Sequence, residues 1–245
     1  MSVRRIIKDL SLLLGASVAY NKKSKILYYH DVYNGDRYTD MGTPLPIFKS
    51  HIDTIRKHGF EIVPHIDNPG KQVSIMFDDG FRGIYDCRHF FYVEGIRPTV
   101  FLAVSLLGTP GYLTVDEVKE LQGLGFSFQS HGWEHTGLAF LNDDDLRKEL
   151  VNAKHYLEEI LGERVSEICL PIGFFSNRLL DRIKGEAYKE VYSSIPGNYD
   201  DLVMGMRRRN LVQYSSPFEV SLILHGGLNL FSKRYLRMHQ VNDFN

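Results

Sequence analysis

The sequence predicts one α/β domain whose parallel sheet closes into a barrel, and three observations carry that reading. Short runs rich in β-branched and aromatic residues recur at Lys25–Tyr29, Phe60–Val63, Val73–Phe77, Thr99–Ala103, Phe126–Ser130, Ile168–Leu170, Glu190–Ser193 and Arg208–Val212. Polar loops and segments of helical period separate them, and such alternation implies parallel strands covered by helices. Seven or eight units of this kind are enough for closure. The 245 residues, 43% hydrophobic and 24% charged, contain no internal repeat and no Pro/Gly/Ser-rich linker, which fits one ordinary core.

Along the chain, the N-terminus comes first. Arg4-Arg5, the apolar stretch Leu10 to Ala19 and the small residues Ser17-Val18-Ala19 have the outline of a signal peptide. Lys8 and Asp9 abut that stretch, which is far shorter than the roughly 20 residues of a membrane span. Residues 3–20 are therefore expected to form an amphipathic helix covering the domain. Residues 1–24 are an N-terminal helix or extension, 25–245 the domain proper. A transmembrane anchor is excluded, and a cytoplasmic location is expected, with export by a signal as the alternative.

A second helix follows from Phe48, Ile52 and Ile55 on one face and ends at Gly59. The clearest helix is Asp143–Leu161, where Leu146, Leu150, Ala153, Leu157 and Ile160 recur at helical spacing, Asn142 is placed to cap and Gly162 to stop. Pro217–Gly227 reads as a further helix.

Lys plus Arg (29) nearly balance Asp plus Glu (30), which argues against broad electrostatic capture of nucleic acid or of an anionic membrane. The dense basic run Arg207-Arg208-Arg209 reads as a strand end. Two cysteines, Cys87 and Cys169, suit a reducing compartment and rule out a four-cysteine structural zinc.

Chemistry is concentrated where strand-like runs end. Phe77-Asp78-Asp79-Gly80 sets two adjacent carboxylates at a glycine turn; such carboxylates repel unless a cation or protons separate their roles, although Asp-Gly is also a common turn. His131-Gly132-Trp133-Glu134-His135 spaces two imidazoles four apart, on one face if the segment makes a helical turn, the spacing with which zinc enzymes chelate. Two histidines and one aspartate compose a facial triad suited to a catalytic metal. His30 and Cys169-Leu170-Pro171-Ile172-Gly173 also follow strand-like runs, on the side where barrel enzymes place their chemistry.

With these motifs in order, the chain resembles the polysaccharide deacetylases, carbohydrate esterase family 4, from about Lys25 to about Val212. The family's Thr/Ser-Phe-Asp-Asp-Gly is matched by Met76-Phe77-Asp78-Asp79-Gly80, and its His-Ser/Thr-x-x-His by His131 and His135 with Gly132 at the Ser/Thr place. Its Arg-x-Pro-x-Gly appears as Cys169-Leu170-Pro171-Ile172-Gly173, without the arginine. Tyr29-His30 resembles the N-terminal Tyr-His of a permuted branch; Ile223-Leu224-His225 resembles the family's last motif only superficially.

The resemblance implies a distorted (β/α)7-type barrel, NodB-like, as a single catalytic domain. It implies a metal-dependent hydrolase that removes acetyl groups from an N-acetylated sugar or polysaccharide. Asp79, His131 and His135 would hold one divalent metal ion, zinc first, with cobalt, nickel or iron as alternatives. Asp78 would be the general base, and His30 rather than His225 the general acid. Trp133, Leu170, Pro171 and Gly173 are expected at the substrate, with Phe81 a second stacking candidate. A backbone N–H near Gly80 or Leu170 would face the oxyanion, and Arg82 or one of Arg207 to Arg209 would orient Asp78. The alternatives are an O-acetyl esterase or other amide hydrolase on the same site, or an inactive carbohydrate-binding remnant.

Overall fold

The computed structural model describes residues 3–186 and 188–243, so residues 1, 2, 187, 244 and 245 of the two expected segments lie outside the described residues. The chain opens with helix α1 (Val3–Val18), then β1 (Lys25–Tyr29) and a small parallel pair, β2 (Asp31–Tyr33) with β3 (Gly42–Pro44). Helix α2 (Leu45–Lys57), the short β4 (Glu61–Ile62) and β5 (Gln72–Phe77) lead to α3 (Gly83–Asp86) and α4 (Arg88–Glu94). Next come β6 (Thr99–Leu102), α5 (Val115–Gly123), β7 (Ser127–Ser130), α6 (Asp143–Arg147) and α7 (Ala153–Leu161). The remainder is β8 (Glu167–Cys169), α8 (Asn177–Gly185), β9 (Glu190–Tyr192), β10 (Asn210–Leu211), α9 (Pro217–Leu224) and α10 (Ser232–His239).

The main sheet runs β10-β1-β5-β6-β7-β8-β9, parallel throughout, with β4 added beside β5. The segment entering β10 touches both edges: Arg207 bridges to Tyr192 of β9, while Asn210 and Leu211 pair with Leu27 and Tyr28 of β1. This curls the sheet into the distorted barrel that the repeating strand–helix units predict. Both sheet faces are covered, so β1 and β5 are buried along their whole length and read as continuous apolar runs rather than alternating ones.

Alternation still decides direction. Ile26, Tyr28 and Met76 point into the barrel with Phe101, Cys169 and Tyr192, whereas Leu27, Tyr29, Ile75 and Phe77 pack outward under the helices. There Tyr29, Phe48, Phe77 and Phe91 form an aromatic cluster with centroids 5.0–6.0 Å apart. Continued one step, the same period puts His30 on the side of Tyr28, and Asp78 on the side of Met76, at the C-terminal mouth.

The 143–161 helix is present, with Asn142 Oδ1 accepting from the Asp145 N–H (2.9 Å) and Gly162 left-handed at φ 65°, but it is not uniform: Lys148–Asn152 widens to a π-turn. The expected helical turn at 131–135 is absent; that segment is an irregular loop.

Candidate active site

Asp79 and Gly80 both leave β5 with positive φ, 74° and 79°, a conformation that is strained for an aspartate and that fixes the direction of its side chain. Gly80 cannot carry a side chain, since a Cβ would lie 2.6 Å from Leu102 Cδ2. After β7, Gly132 (φ 79°) and His135 (φ 56°) bend the chain, replacing the helical turn as the device that brings two imidazoles to one point. His131 Nε2 lies 3.3 Å, and His135 Nε2 3.0 Å, from Asp79 Oδ1.

What holds that loop is Glu149, which sequence reasoning missed. Its buried carboxylate accepts from the N–H groups of Trp133 (2.5 Å) and Glu134 (3.1 Å), and a Cβ on Gly132 would lie 2.5 Å from its Oε2. Glycine at the family's Ser/Thr place is thus matched to a carboxylate supplied by the π-turn. The legible signal was an acid three residues after Leu146, on the buried face of the helix.

The protonation of the cluster follows from its neighbours. His131 Nδ1 lies 2.8 Å from the Cys169 carbonyl oxygen, which can only accept, so Nδ1 donates and Nε2 is the ring atom turned to Asp79. Asp79 Oδ1 is buried and without a hydrogen bond. Burial raises the Asp79 pKa, but the two facing imidazoles outweigh it and hold the carboxyl well below the usual range; Asp79 in turn raises the pKa of His135.

Donor atoms of Asp79, His131 and His135 lie within 4.8 Å of one another, as do those of Asp78, His131 and Cys169. Chemistry separates the two sets. Asp78 is already neutralised by Arg209, and burial pushes the Cys169 thiol well above its ordinary pKa. In the first set a buried carboxylate oxygen and the Nε2 atoms of two imidazoles converge, a donor set that fits a divalent cation.

Asp78 is gripped by Arg209 in a fork, Nη1 to Oδ1 at 2.7 Å and Nη2 to Oδ2 at 2.8 Å. Arg209 is fully buried, lies 4.2 Å over the Tyr28 ring, and its Nη2 also contacts Cys169 Sγ at 2.7 Å. Burial raises the Asp78 pKa; the guanidinium more than offsets this and keeps the carboxyl ionised below the usual range. The arginine missing from the third motif is therefore replaced in space by one just ahead of β10, the strand next to β1. Arg82 instead pairs with Glu117 at 2.9 Å, and Arg207 with Glu190.

His30 lines the cavity, its Nδ1 donating to Gln213 Oε1 at 2.6 Å. Gln213 is itself held through its carbonyl by Thr43 Oγ1 (3.1 Å). His225 is elsewhere: it ends α9 and stacks on Tyr20 at 5.1 Å. The cavity, of about 330 Å³, is lined by Asp78, Asp79, His30, His131, His135, Tyr28 and Leu170, and also by Met41, Ile172, Ser194, Leu211, Tyr235 and His239. Ile172 belongs to the third motif and Leu211 to β10; no local pattern announced the other four, which loops and α10 bring in.

Trp133 is not among the cavity residues. It packs on Tyr156 (5.7 Å) with Lys148 Nζ 5.7 Å from its ring, because Glu149 holds the loop with that ring turned to the helix. Phe81 is likewise buried, stacked on Tyr112 at 4.5 Å. Pro171 and Gly173 are buried behind Ile172, which has φ 61° and is the exposed member of that turn. Leu170 borders the cavity, while its N–H is spent on the Tyr192 carbonyl (3.2 Å) rather than left for an oxyanion.

The polysaccharide deacetylase family model matches residues 65–191, about half of the chain. YxkH of Bacillus subtilis (strain 168), whose name assigns it to the polysaccharide deacetylases, is 23% identical over 186 residues, covering 71% of this chain and 66% of its own length. The chain thus spans just under two thirds of that relative. Among solved structures, the Streptococcus pyogenes deacetylase PplD in complex with acetate superposes with a TM-score of 0.72 at 19% identity, over 83% of this chain and 98% of that one. IcaB from Ammonifex degensii gives 0.71 at 20%, over 84% and 98%. The chain belongs to the polysaccharide deacetylase family, and its fold is the α/β barrel of these neighbours.

Proposed function

We propose that the protein is a metal-dependent deacetylase of an N-acetylated sugar or glycan, with its reaction in the cavity at the C-terminal mouth of the barrel. The observation that carries this is the convergence of Asp79 Oδ1, buried and without a hydrogen bond, with the Nε2 atoms of His131 and His135. These three residues would hold one divalent cation, zinc first. When bound, such a cation supplies Lewis acidity toward an acyl carbonyl and toward water.

The chain's own residues supply the proton transfers. Asp78, kept ionised by Arg209, accepts a proton from the attacking water at a carboxylate oxygen. Water's oxygen bonds to the acetyl carbon, and the C–N bond breaks as His30 delivers a proton from Nε2 to the departing amine. Acetate and the free amino sugar result. Gln213 fixes the His30 tautomer by occupying Nδ1. The placement of this acid at the end of β1 supports the permuted branch of the family. A cavity of about 330 Å³ is at the small end of the roughly 300–1,000 Å³ typical of ligand sites, which suits one sugar ring at a time.

The test is to strip the protein with chelator, titrate zinc, and follow acetate released from N-acetyl and O-acetyl sugars. One tight equivalent with release from the N-acetyl substrate supports the reading. Release from O-acetyl substrates alone would replace it with an esterase, and zinc binding without release from either would point to a binding protein.

A further inference from the structure

Helix α1 is packed the unexpected way round. Its inward face carries Leu12, Gly15 and Ala16, and Gly15 approaches Gly227 so closely that a Cβ would overlap the Gly227 carbonyl. The larger apolar residues point the other way: Ile7, Leu10, Leu14 and Val18 are 58, 60, 60 and 68% exposed, and Ile6 and Leu13 beside them are exposed too. At 100° per residue these six fill one arc, and within residues 6–18 the only other one in it is the uncharged Ser17. Single exposed leucines are ordinary, but a continuous uncharged stripe along four turns marks an interaction surface.

Charge indicates what the surface meets. Overall the chain carries 29 basic and 30 acidic residues, yet residues 1–23 hold five Lys or Arg against Asp9 alone, and 229–240 hold three and no acid. The two segments adjoin. Between α1 and α10 runs an apolar groove of about 450 Å³, lined by Ile7, Leu228, Phe231 and Met238 together with Lys8 and Arg234. Lys8 shares its charge with Glu219 (2.7 Å). No helix among the described residues is long and apolar enough to cross a membrane. Sixteen helical residues reach only about 24 Å against a hydrocarbon core of ~30 Å.

We propose that the outer face of α1 and the adjoining basic face of α10 dock on an anionic lipid bilayer, with α1 lying in the plane of the interface. Apolar side chains would enter the headgroup boundary, and Lys8 with Lys233, Arg234 and Arg237 of α10 would meet lipid phosphates. Tyr235 lines both the groove and the cavity that holds Asp78 and Asp79, so docking sets the cavity mouth beside the headgroups.

The experiment is flotation of the full chain with vesicles of phosphatidylcholine alone and of phosphatidylcholine mixed with phosphatidylglycerol, at low and high salt. Wild type should float with the mixed vesicles, and less so at high salt. The double variant Leu10→Glu/Leu14→Glu should lose at least ~10-fold in vesicle affinity, with melting and zinc titration unchanged. Lys233→Glu/Arg237→Glu, on exposed positions of α10, should weaken binding to the mixed vesicles without relying on α1. Absence of flotation, or equal flotation of wild type and both variants, overturns the proposal. So does a wild-type dimer in sedimentation that the α1 variant converts to monomer with no vesicle binding, because the stripe would then be covered by a second copy. None of these readouts depends on deacetylation.

Discussion

The two ends of the barrel both bury carboxyl groups, and they dispose of the charge in opposite ways. At the N-terminal end, a cavity of about 160 Å³ holds His65, Glu167, Glu190, Tyr192 and Tyr199. At the C-terminal end stand Asp78, Asp79 and the three histidines. Each end has one acid forked by an arginine from the same segment: Arg207 grips Glu190 at 2.7 and 2.9 Å, Arg209 grips Asp78 at 2.7 and 2.8 Å. Among the carboxyl groups lining each cavity, one oxygen is without a hydrogen bond, on Glu167 and on Asp79. Burial pushes the Glu167 pKa up, whereas the facing imidazoles pull the Asp79 pKa down and keep it anionic. Burial of an acid therefore does not by itself locate the site; its convergence with the imidazoles does.

The sharpest break in this comparison is His131→Ala or Asp79→Ala. Either should abolish binding of the single zinc equivalent and acetate release together, as read by titration calorimetry and an acetate assay. Next in size, Asp78→Asn should keep the metal but lose roughly 10²–10⁴-fold in turnover. His30→Ala should fall in the same range while His225→Ala leaves turnover unchanged, and equal losses from both histidines would overturn the acid assignment.

Arginine replacement contrasts the two ends directly. Arg209→Met leaves a fully buried carboxylate unpaired and should cost about 3–5 kcal/mol in denaturant unfolding. Arg207→Met, whose partner is partly solvated, should cost on the order of 1 kcal/mol. Because Arg209 lowers the Asp78 pKa, the pair's stabilisation is fully present above the unfolded carboxyl pKa of about 3.9 and is lost as pH falls through the lower folded value. The wild-type pH–rate profile should therefore show no acidic limb from Asp78 above pH ~4, and Arg209→Met should move such a limb upward. The smallest effect is at the far end: Glu167→Gln, which removes a charge that burial disfavours, should shift stability by less than about 0.5 kcal/mol at neutral pH and leave zinc binding intact.

Much of this was readable in the chain because the governing interactions are local. Every strand-like run is a strand in the structure, although boundaries move by a residue or two and Phe60–Val63 shrinks to Glu61–Ile62. Strand-end position was enough to put His30, Asp78 and Asp79 at one mouth, although positive φ at Asp79, not the strand period, sets its direction. The 131–135 segment reached the same end by another route: spacing suggested a helical turn, but positive φ at Gly132 and His135, with Glu149 behind them, does the work. Trp133 went astray for the same reason, since the loop's anchor, not its sequence, chooses where the ring points.

By itself, the sequence determined the parallel α/β barrel, the helix stops and caps, and the paired carboxylates and imidazoles, since each is set by periodicity or by neighbours a few residues away. Tertiary structure alone decided that Arg209, not Arg82 or Arg207, grips Asp78 across 131 residues of chain. It also decided that α10 closes the cavity and that α1 turns its larger apolar face outward. These depend on which elements meet after the sheet has curled, and contacts between distant segments leave no period in the chain to read.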